Sequence, residues 1–270
     1  MIPVTEEATM RHIVVTLDAS ETGRSALETA VRLAAILNAE LEGVFVEDIN
    51  LIRLAGLPFL REVRPWSLGE ESVSAQRMQR ELRTMARHAE QMLEQAAREM
   101  GVHWSFQVWR GPAGAETLAQ NFVADIISLG GVSALASWRM WATTRPRTRR
   151  FRETLASISV LFSDSEQAAR ALTTACNLAK DPATSVTVLL PNNRAVDLPA
   201  LKEKARAILD LHGLPARFVQ LSGSGLQSLV QVTGTSGVSI LIAETEHPLL
   251  LQAGLDQCLE VLSCPVLLVR

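Results

Sequence analysis

The chain contains no tyrosine, and aromatic residues fill only 4% of its 270 positions. The first absence removes mechanisms that need a phenolic proton donor. The second leaves little from which to build the stacking platforms of single-strand nucleic-acid binders. Cysteine is scarce too: Cys176, Cys258 and Cys264 are odd in number, lack C-x-x-C spacing and sit in apolar stretches. Buried free thiols are expected, rather than a disulfide or a zinc site, and they suit a reducing compartment. The net charge of −3 offers no overall attraction to nucleic acid or anionic membrane. No run approaches the roughly 20 apolar residues that span a bilayer. Met1 to Met10 carries Glu6 and Glu7 and has no apolar signal-peptide core. Together these absences point to a cytoplasmic protein with no transmembrane segment and no nucleic-acid partner.

Catalytic and metal-binding signatures are missing as well. His12, His88, His103, His212 and His247 are scattered without metal-ligand spacing. Glu244-Thr245-Glu246-His247 is expected to be a surface loop. No Gly-x-Ser-x-Gly elbow marks a nucleophile, and Gly223-Ser224-Gly225 is expected to be a strand-to-helix turn.

What the chain does have is a copy of itself. Ile13 and Val15, Ser20-Glu21, Ala26-Leu27, Thr29-Ala30 and Leu33-Ala34 recur 145 residues later as Ile158 and Val160, Ser165-Glu166, Ala171-Leu172, Thr174-Ala175 and Leu178-Ala179. These are ten identities in a gapless window of 22 residues. A period this long exceeds any solenoid unit, so a whole small domain is present twice. At 270 residues, two domains of ordinary size are expected, over 1–152 and 153–270.

Within the first copy, His12–Leu17 reads as a strand stopped by Asp18-Ala19-Ser20, with Ser20 placed to cap the next helix. Leu27, Ala30, Val31, Ala34 and Leu37 then recur at helical spacing. Leu41–Val46 is a second strand. Val73–Met100 is a long helix whose stripe of Met78, Leu82, Met85, Ala89, Leu93 and Ala96 reads as core. His103–Arg110 is a third strand, with Trp104, Phe106 and Val108 on one face. A helix near Ala113–Val123 and a strand at Asp125–Leu129 follow. The second copy keeps this order: strands at Ile158–Phe162, Val186–Leu190, Ala216–Leu221, Val238–Ala243 and Val266–Val269, and helices at Ala168–Ala179, Leu198–His212, Leu226–Val232 and Leu249–Leu262. Such alternation indicates a parallel sheet covered on both faces.

Two stretches have no counterpart in the second copy. Ile49–Trp66 is an apolar insertion broken by Pro58 and Pro65. Val132–Arg152 carries Arg139, Arg145, Arg147, Arg149, Arg150 and Arg152, no acid, and no convincing fifth strand. Arginines could neutralise phosphates, and Trp138, Met140 and Trp141 beside them could favour a membrane surface. A solvated loop, or one tied to acids of its own protein, is the favoured reading. Residues 49–66 and 139–152 are the candidate surfaces for a protein partner. The first domain's sheet is then expected to end at strand four or to borrow a strand from elsewhere. Unpaired strand edges promote association and the apolar insertion offers further surface, so a homodimer or larger is expected.

A strand ending in Leu17-Asp18-Ala19-Ser20, an amphipathic helix behind it, and the chain end Cys264-Pro265-Val266-Leu267-Leu268-Val269-Arg270 resemble the universal stress protein family. Val46-Glu47-Asp48 through Leu54-Ala55-Gly56-Leu57-Pro58 is similar to an insertion of some bacterial members. The resemblance covers almost the whole chain and matches the tandem, two-domain members. It implies two doubly wound parallel-sheet domains, flavodoxin-like and adenine-nucleotide-hydrolase-like, packed as a pseudo-dimer. It also implies a non-enzymatic stress-response role, with ATP or AMP bound by some members. In those binders the first-strand aspartate approaches adenine or ribose, and a Gly-x2-Gly-x9-Gly-Ser/Thr segment after strand four holds phosphate.

Carried over, Asp18 and Gly130 match, while Ser133 and Thr143 replace the later glycines and Thr144 supplies the hydroxyl. Glycines let backbone amides approach phosphate and hydroxyls donate to it, so the first site is partly kept. In the second copy Ser163 stands at the aspartate, with Asp164 adjacent, and Ala243, Glu244 and Glu246 occupy the loop. Carboxylates there would repel phosphate, so at most one adenine-nucleotide site is expected, in the first domain. Asp18 can equally cap a helix, and Gly130-Gly131 can be only a tight exit from the sheet. A ligand-free interaction module and a weak nucleotide hydrolase remain as alternatives.

Overall fold

The computed structural model describes residues 12–18, 21–55, 57, 61–63, 70–72, 75–112, 114–130, 156–192, 196–215, 217–223, 225–235 and 237–270. In chain order the first half contains β1 (His12–Leu17), α1 (Glu21–Leu37), β2 (Glu40–Asp48), α2 (Ile49–Ala55), β3 (Arg61–Val63), β4 (Glu70–Ser72), α3 (Ala75–Met100), β5 (Trp104–Gly111), α4 (Ala115–Asn121) and β6 (Ile126–Leu129). The second half contains β7 (Ser157–Leu161), α5 (Glu166–Leu178), β8 (Ser185–Leu190), α6 (Leu198–Leu211), β9 (Arg217–Gln220), α7 (Leu226–Thr235), β10 (Ile240–Glu244), α8 (Pro248–Ala253), α9 (Leu255–Val261) and β11 (Val266–Val269).

One nine-stranded sheet runs through both halves in the order β5-β2-β1-β6-β11-β10-β7-β8-β9. Neighbours are parallel, except that β11 meets β6 antiparallel, with Leu268 opposite Ile127. The expected doubly wound, doubled architecture is therefore present, and its centre is a single strand. β11 pairs parallel with β10 of its own half and antiparallel with β6 of the other. With β11 at the middle, four strands lie on each side in mirrored order.

Burial follows position. Every residue of β6, β10 and β11 is buried, as both faces of a central strand are covered by helices. At the two ends of the sheet, β5 and β9 consist almost wholly of exposed and half-buried residues. The helices divide into two layers whose cores cross the midline. One cluster joins α1 and α3 to α5 and α6 through Leu27, Leu93, Leu172 and Leu209. The other joins α4 to α8 and α9 through Leu118, Leu250 and Cys258. The Met78, Leu82, Met85, Ala89, Leu93 and Ala96 stripe of α3 lies in the first cluster, as its spacing predicts. Gly43 of β2 lets Leu93 sit directly on the sheet, since a Cβ there would collide with it. Trp104 and Phe106 pack on that layer; Val108, on the same strand face by alternation, is 47% exposed.

One expected element needs correction. The helix expected over Leu249–Leu262 is two, α8 and α9, because Gly254 between them takes a left-handed φ of 79° that stops the first and starts the second. The apolar insertion carries structure of its own. Its start forms α2, which buries Leu51 and Ala55, and beyond it β3 and β4 pair as a small antiparallel sheet. The cap expected at Ser20 and the segment Val132–Arg152 lie outside the described residues. The place beside β6, where a fifth strand of the first half would lie, is held by β11.

Polar contacts reinforce the junction. The Asp256 carboxylate of α9 accepts from the Ala115 amide of α4 at 2.6 Å, and Glu116 of α4 accepts from the Leu255 amide of α9 at 3.2 Å. Each helix thus caps the other's N-terminus across the two halves. Arg270 completes the seam: its amide donates to Asp125 O at 3.0 Å and its guanidinium to Ala119 O.

Candidate functional site

In an open doubly wound sheet, ligands bind beyond the carboxyl ends of the strands, where the connections diverge to opposite faces. Each half has such a point between its first and fourth strands, β1 and β6 in one and β7 and β10 in the other. The register aligns the two. Ile13 faces Ile126 and Ile158 faces Ile240, so Gly130 and Glu244 occupy equivalent places, as do Asp18 and Ser163.

In the first half, Asp18 leaves the end of β1 partly exposed, and Gly130, buried, leaves the end of the adjacent β6. The structure thus brings these two sequence-predicted residues to one switch point. Ser133, Thr143 and Thr144 lie outside the described residues. Nearby, Glu47 at the end of β2 is 4% exposed and accepts from Arg110 of the facing β5 at 2.6 Å. That ion pair was not singled out in the sequence, although Glu47 and Arg110 end adjacent strands. A glycine opposite an aspartate leaves room for a ligand's backbone contacts and supplies one acceptor for hydroxyl or amine donors.

The second half differs in kind. Glu244 is 4% exposed and takes hydrogen bonds from Ser163 Oγ at 2.5 Å and from Ser165 Oγ. Ser165 also caps α5, its Oγ accepting from the Ala168 amide at 2.8 Å. A carboxylate therefore fills the space at a helix N-terminus that a bound anion would need, and it is already satisfied by hydroxyls. The Glu244–His247 stretch is accordingly not the surface loop expected: Glu244 and His247 are buried, while Glu246 is exposed. The sequence signal was the serine pair Ser163 and Ser165, which flanks the strand end opposite Glu244.

Beside this plug a cleft of about 210 Å³ opens over the ends of β7, β8 and β9. Leu161, Val196, Leu201, Leu221 and Leu249 supply its apolar walls, and Ser163, Asn192, His247 and Gln252 its polar atoms. His247 caps α8, its Nδ1 accepting from the Leu249 amide at 3.2 Å. Burial lowers its pKa from 6.5, more than the nearby Glu244 raises it. Asp164 at the cleft is exposed and pairs with Lys204 at 2.7 Å.

The cysteines are free and buried, and burial pushes each thiol up to about 11. Among the described residues no group of three or more His, Cys, Asp or Glu could hold a metal ion, and no helix is long and apolar enough to cross a membrane.

Residues 9–134 match the profile of the universal stress protein family. No curated protein matches the chain. Among solved structures, a universal stress protein from Archaeoglobus fulgidus aligns over 96% of this chain and 96% of its own, at 9% identity and a TM-score of 0.55, which shows a shared fold. A protein of the same family from Burkholderia pseudomallei aligns over 44% of this chain and 98% of its own, at 20% identity and a TM-score of 0.33. A universal stress protein in complex with cAMP aligns over 44% and 98%, at 16% identity and a TM-score of 0.36.

Proposed function

Since residues 9–134 match the universal stress protein family, we propose that the chain is a non-enzymatic, regulatory stress-response protein with one adenine-nucleotide site, in its first half. The two units are 1–152 and 153–270, the second having lost the phosphate site. One observation carries the reading: at equivalent strand ends the first half presents Asp18 and Gly130, and the second presents Ser163 and a buried Glu244. Glycine admits a phosphate where the carboxylate repels it. Asp18 is the acceptor for ribose or adenine, and Ser133, Thr143 and Thr144 are the phosphate donors.

Calorimetric titration of ATP and AMP into the whole chain tests this. One saturable site is expected, and Asp18→Ala should weaken it by about 1–3 kcal/mol through loss of a hydrogen bond to a carboxylate. Two equivalent sites, or affinity unchanged in the variant, would overturn it. ATP turnover above buffer would favour the hydrolase alternative.

We propose further that the chain self-associates. The edge beside β6 is covered by β11, so the contact must lie elsewhere, and Leu54 and Leu57 of the insertion are exposed at 44% and 51%. Light scattering should give a mass above 29.5 kDa, reduced to the monomer by Leu54→Asp with Leu57→Asp. A monomeric wild type at micromolar concentration removes the claim.

A further inference from the structure

The outer face of α3 carries its charges in an order that suits a second helix better than its own. Arg80, Arg83, Arg87, Glu90 and Glu94 follow one another at intervals of three and four residues, which keeps them on one line along the helix. The first four are exposed and Glu94 is half-buried. Arg80, Arg83 and Arg87 make no ion pair among the described residues. Three like charges therefore repel one another at neighbouring positions of the helix. The order also opposes the helix macrodipole, which favours acids at the start and cations at the end. The first turn of α3 carries no acid. In the second half the counterpart helix differs: α6 pairs Lys204 with Asp164 and Arg206 with Glu203.

Run antiparallel, the same line is its own complement. With a two-fold axis between His88 and Ala89, Arg83 meets the partner's Glu94 and Arg87 the partner's Glu90, and symmetry makes each contact twice. Glu94 also pairs with Arg98 through Oε1 at 2.5 Å, and its Oε2 can accept from a second guanidinium. A polyanion fits less well, because Glu90 and Glu94 on the same line would repel its phosphates. We propose that α3 pairs antiparallel with α3 of a second copy and forms the charged part of a homodimer interface. The inference rests on the self-association reading above and gives it a geometry. α2 follows the carboxyl end of β2 and packs on α3, whose C-terminus turns into β5 at the amino end of the sheet. Antiparallel pairing therefore carries Met100, 49% exposed, towards the partner's Leu54 and Leu57. Exposed ion pairs contribute little singly, so the apolar contact holds the copies together and the charged line fixes their direction.

Light scattering of the whole chain at micromolar concentration, with salt and charge varied, tests the pairing. The wild type should dimerise in about 0.02 M salt and dissociate at least about tenfold more readily in about 0.5 M, since screening weakens charge contacts between exposed groups. Arg83→Glu with Arg87→Glu should shift the chain to monomer, as should Glu90→Arg with Glu94→Arg. All four substitutions in one chain keep the net charge of −3 and restore the complement, so that variant should dimerise again. Circular dichroism checks that each variant folds, and the wild-type salt dependence decides even where one does not. A dimer insensitive to salt and to both double substitutions overturns the helix pairing and leaves the apolar association standing. A four-fold variant that folds and stays monomeric overturns the pairing as well. A wild type that is monomeric at every salt concentration removes the association reading, and this inference with it.

Discussion

His247 holds a neutral imidazole in place by two requirements at once, a buried environment and an Nδ1 that must accept from Leu249. Its folded pKa is lowered from 6.5. Below that value the unfolded chain binds a proton that the folded chain resists, so stability falls as pH drops. Thermal unfolding should therefore occur at lower temperature at pH 5.5 than at pH 7.5. His247→Asn keeps a capping oxygen and should flatten that slope; the same slope in wild type and variant would assign it to other groups. Such a residue was only half legible beforehand. Its identity stood in the sequence, but the cleft it lines is shared with Leu161 and Leu221, which lie 86 and 26 positions away. The same holds for Glu244. A carboxylate in the loop was visible, whereas its satisfaction by Ser163 and Ser165 depends on β7 lying beside β10. The placement of Asp18 and Gly130 at adjacent strand ends was legible because each ends a strand whose apolar run is unmistakable. The repeat gives Ser163 as the counterpart of Asp18, whereas that of Gly130 follows from strand register.

Elements were readable wherever a single period ran unbroken. Val266–Val269 and His12–Leu17 coincide with the expected strands, and Leu198–Leu211 differs by one residue from the expected helix. The failure at Gly254 has a local cause. Leu249, Leu250, Leu255, Cys258, Leu259 and Leu262 are all buried apolar positions, so the hydrophobic pattern continues through a backbone that does not. The break is made by a left-handed glycine, with Asp256 and Glu116 capping each other's helices once α9 can start afresh. Gly254→Ala should cost about 1–2 kcal/mol for forcing a Cβ into that conformation, read as a lower urea midpoint with an unchanged slope. Its ideal Cβ meets only Glu116 Oε1 at 3.5 Å, so crowding adds little. A stabilised variant would mean that α8 and α9 fuse without penalty.

At the scale of the molecule, duplication has produced one body with a shared middle strand. A fifth strand is ordinarily the property of its own domain. Here β11 closes β10 on one side and β6 on the other, and the two helix layers bridge the same line. This could not be read from the repeat, because self-similarity reveals copies and says nothing of which copy supplies the pairing edge. The consequence is cooperative. Leu268 is fully buried, faces Ile127 across the antiparallel pairing and Ala243 across the parallel one, and belongs to the α4, α8 and α9 core. Leu268→Ala should destabilise the fold by about 2–5 kcal/mol, through lost burial and the cavity left behind. If β11 joins the halves energetically as well as geometrically, native-state hydrogen exchange should show the β6 and β10 amides losing protection together. Loss confined to β10 and its neighbours in the second half would instead show that the first half keeps its own stability, with β11 as an attached edge.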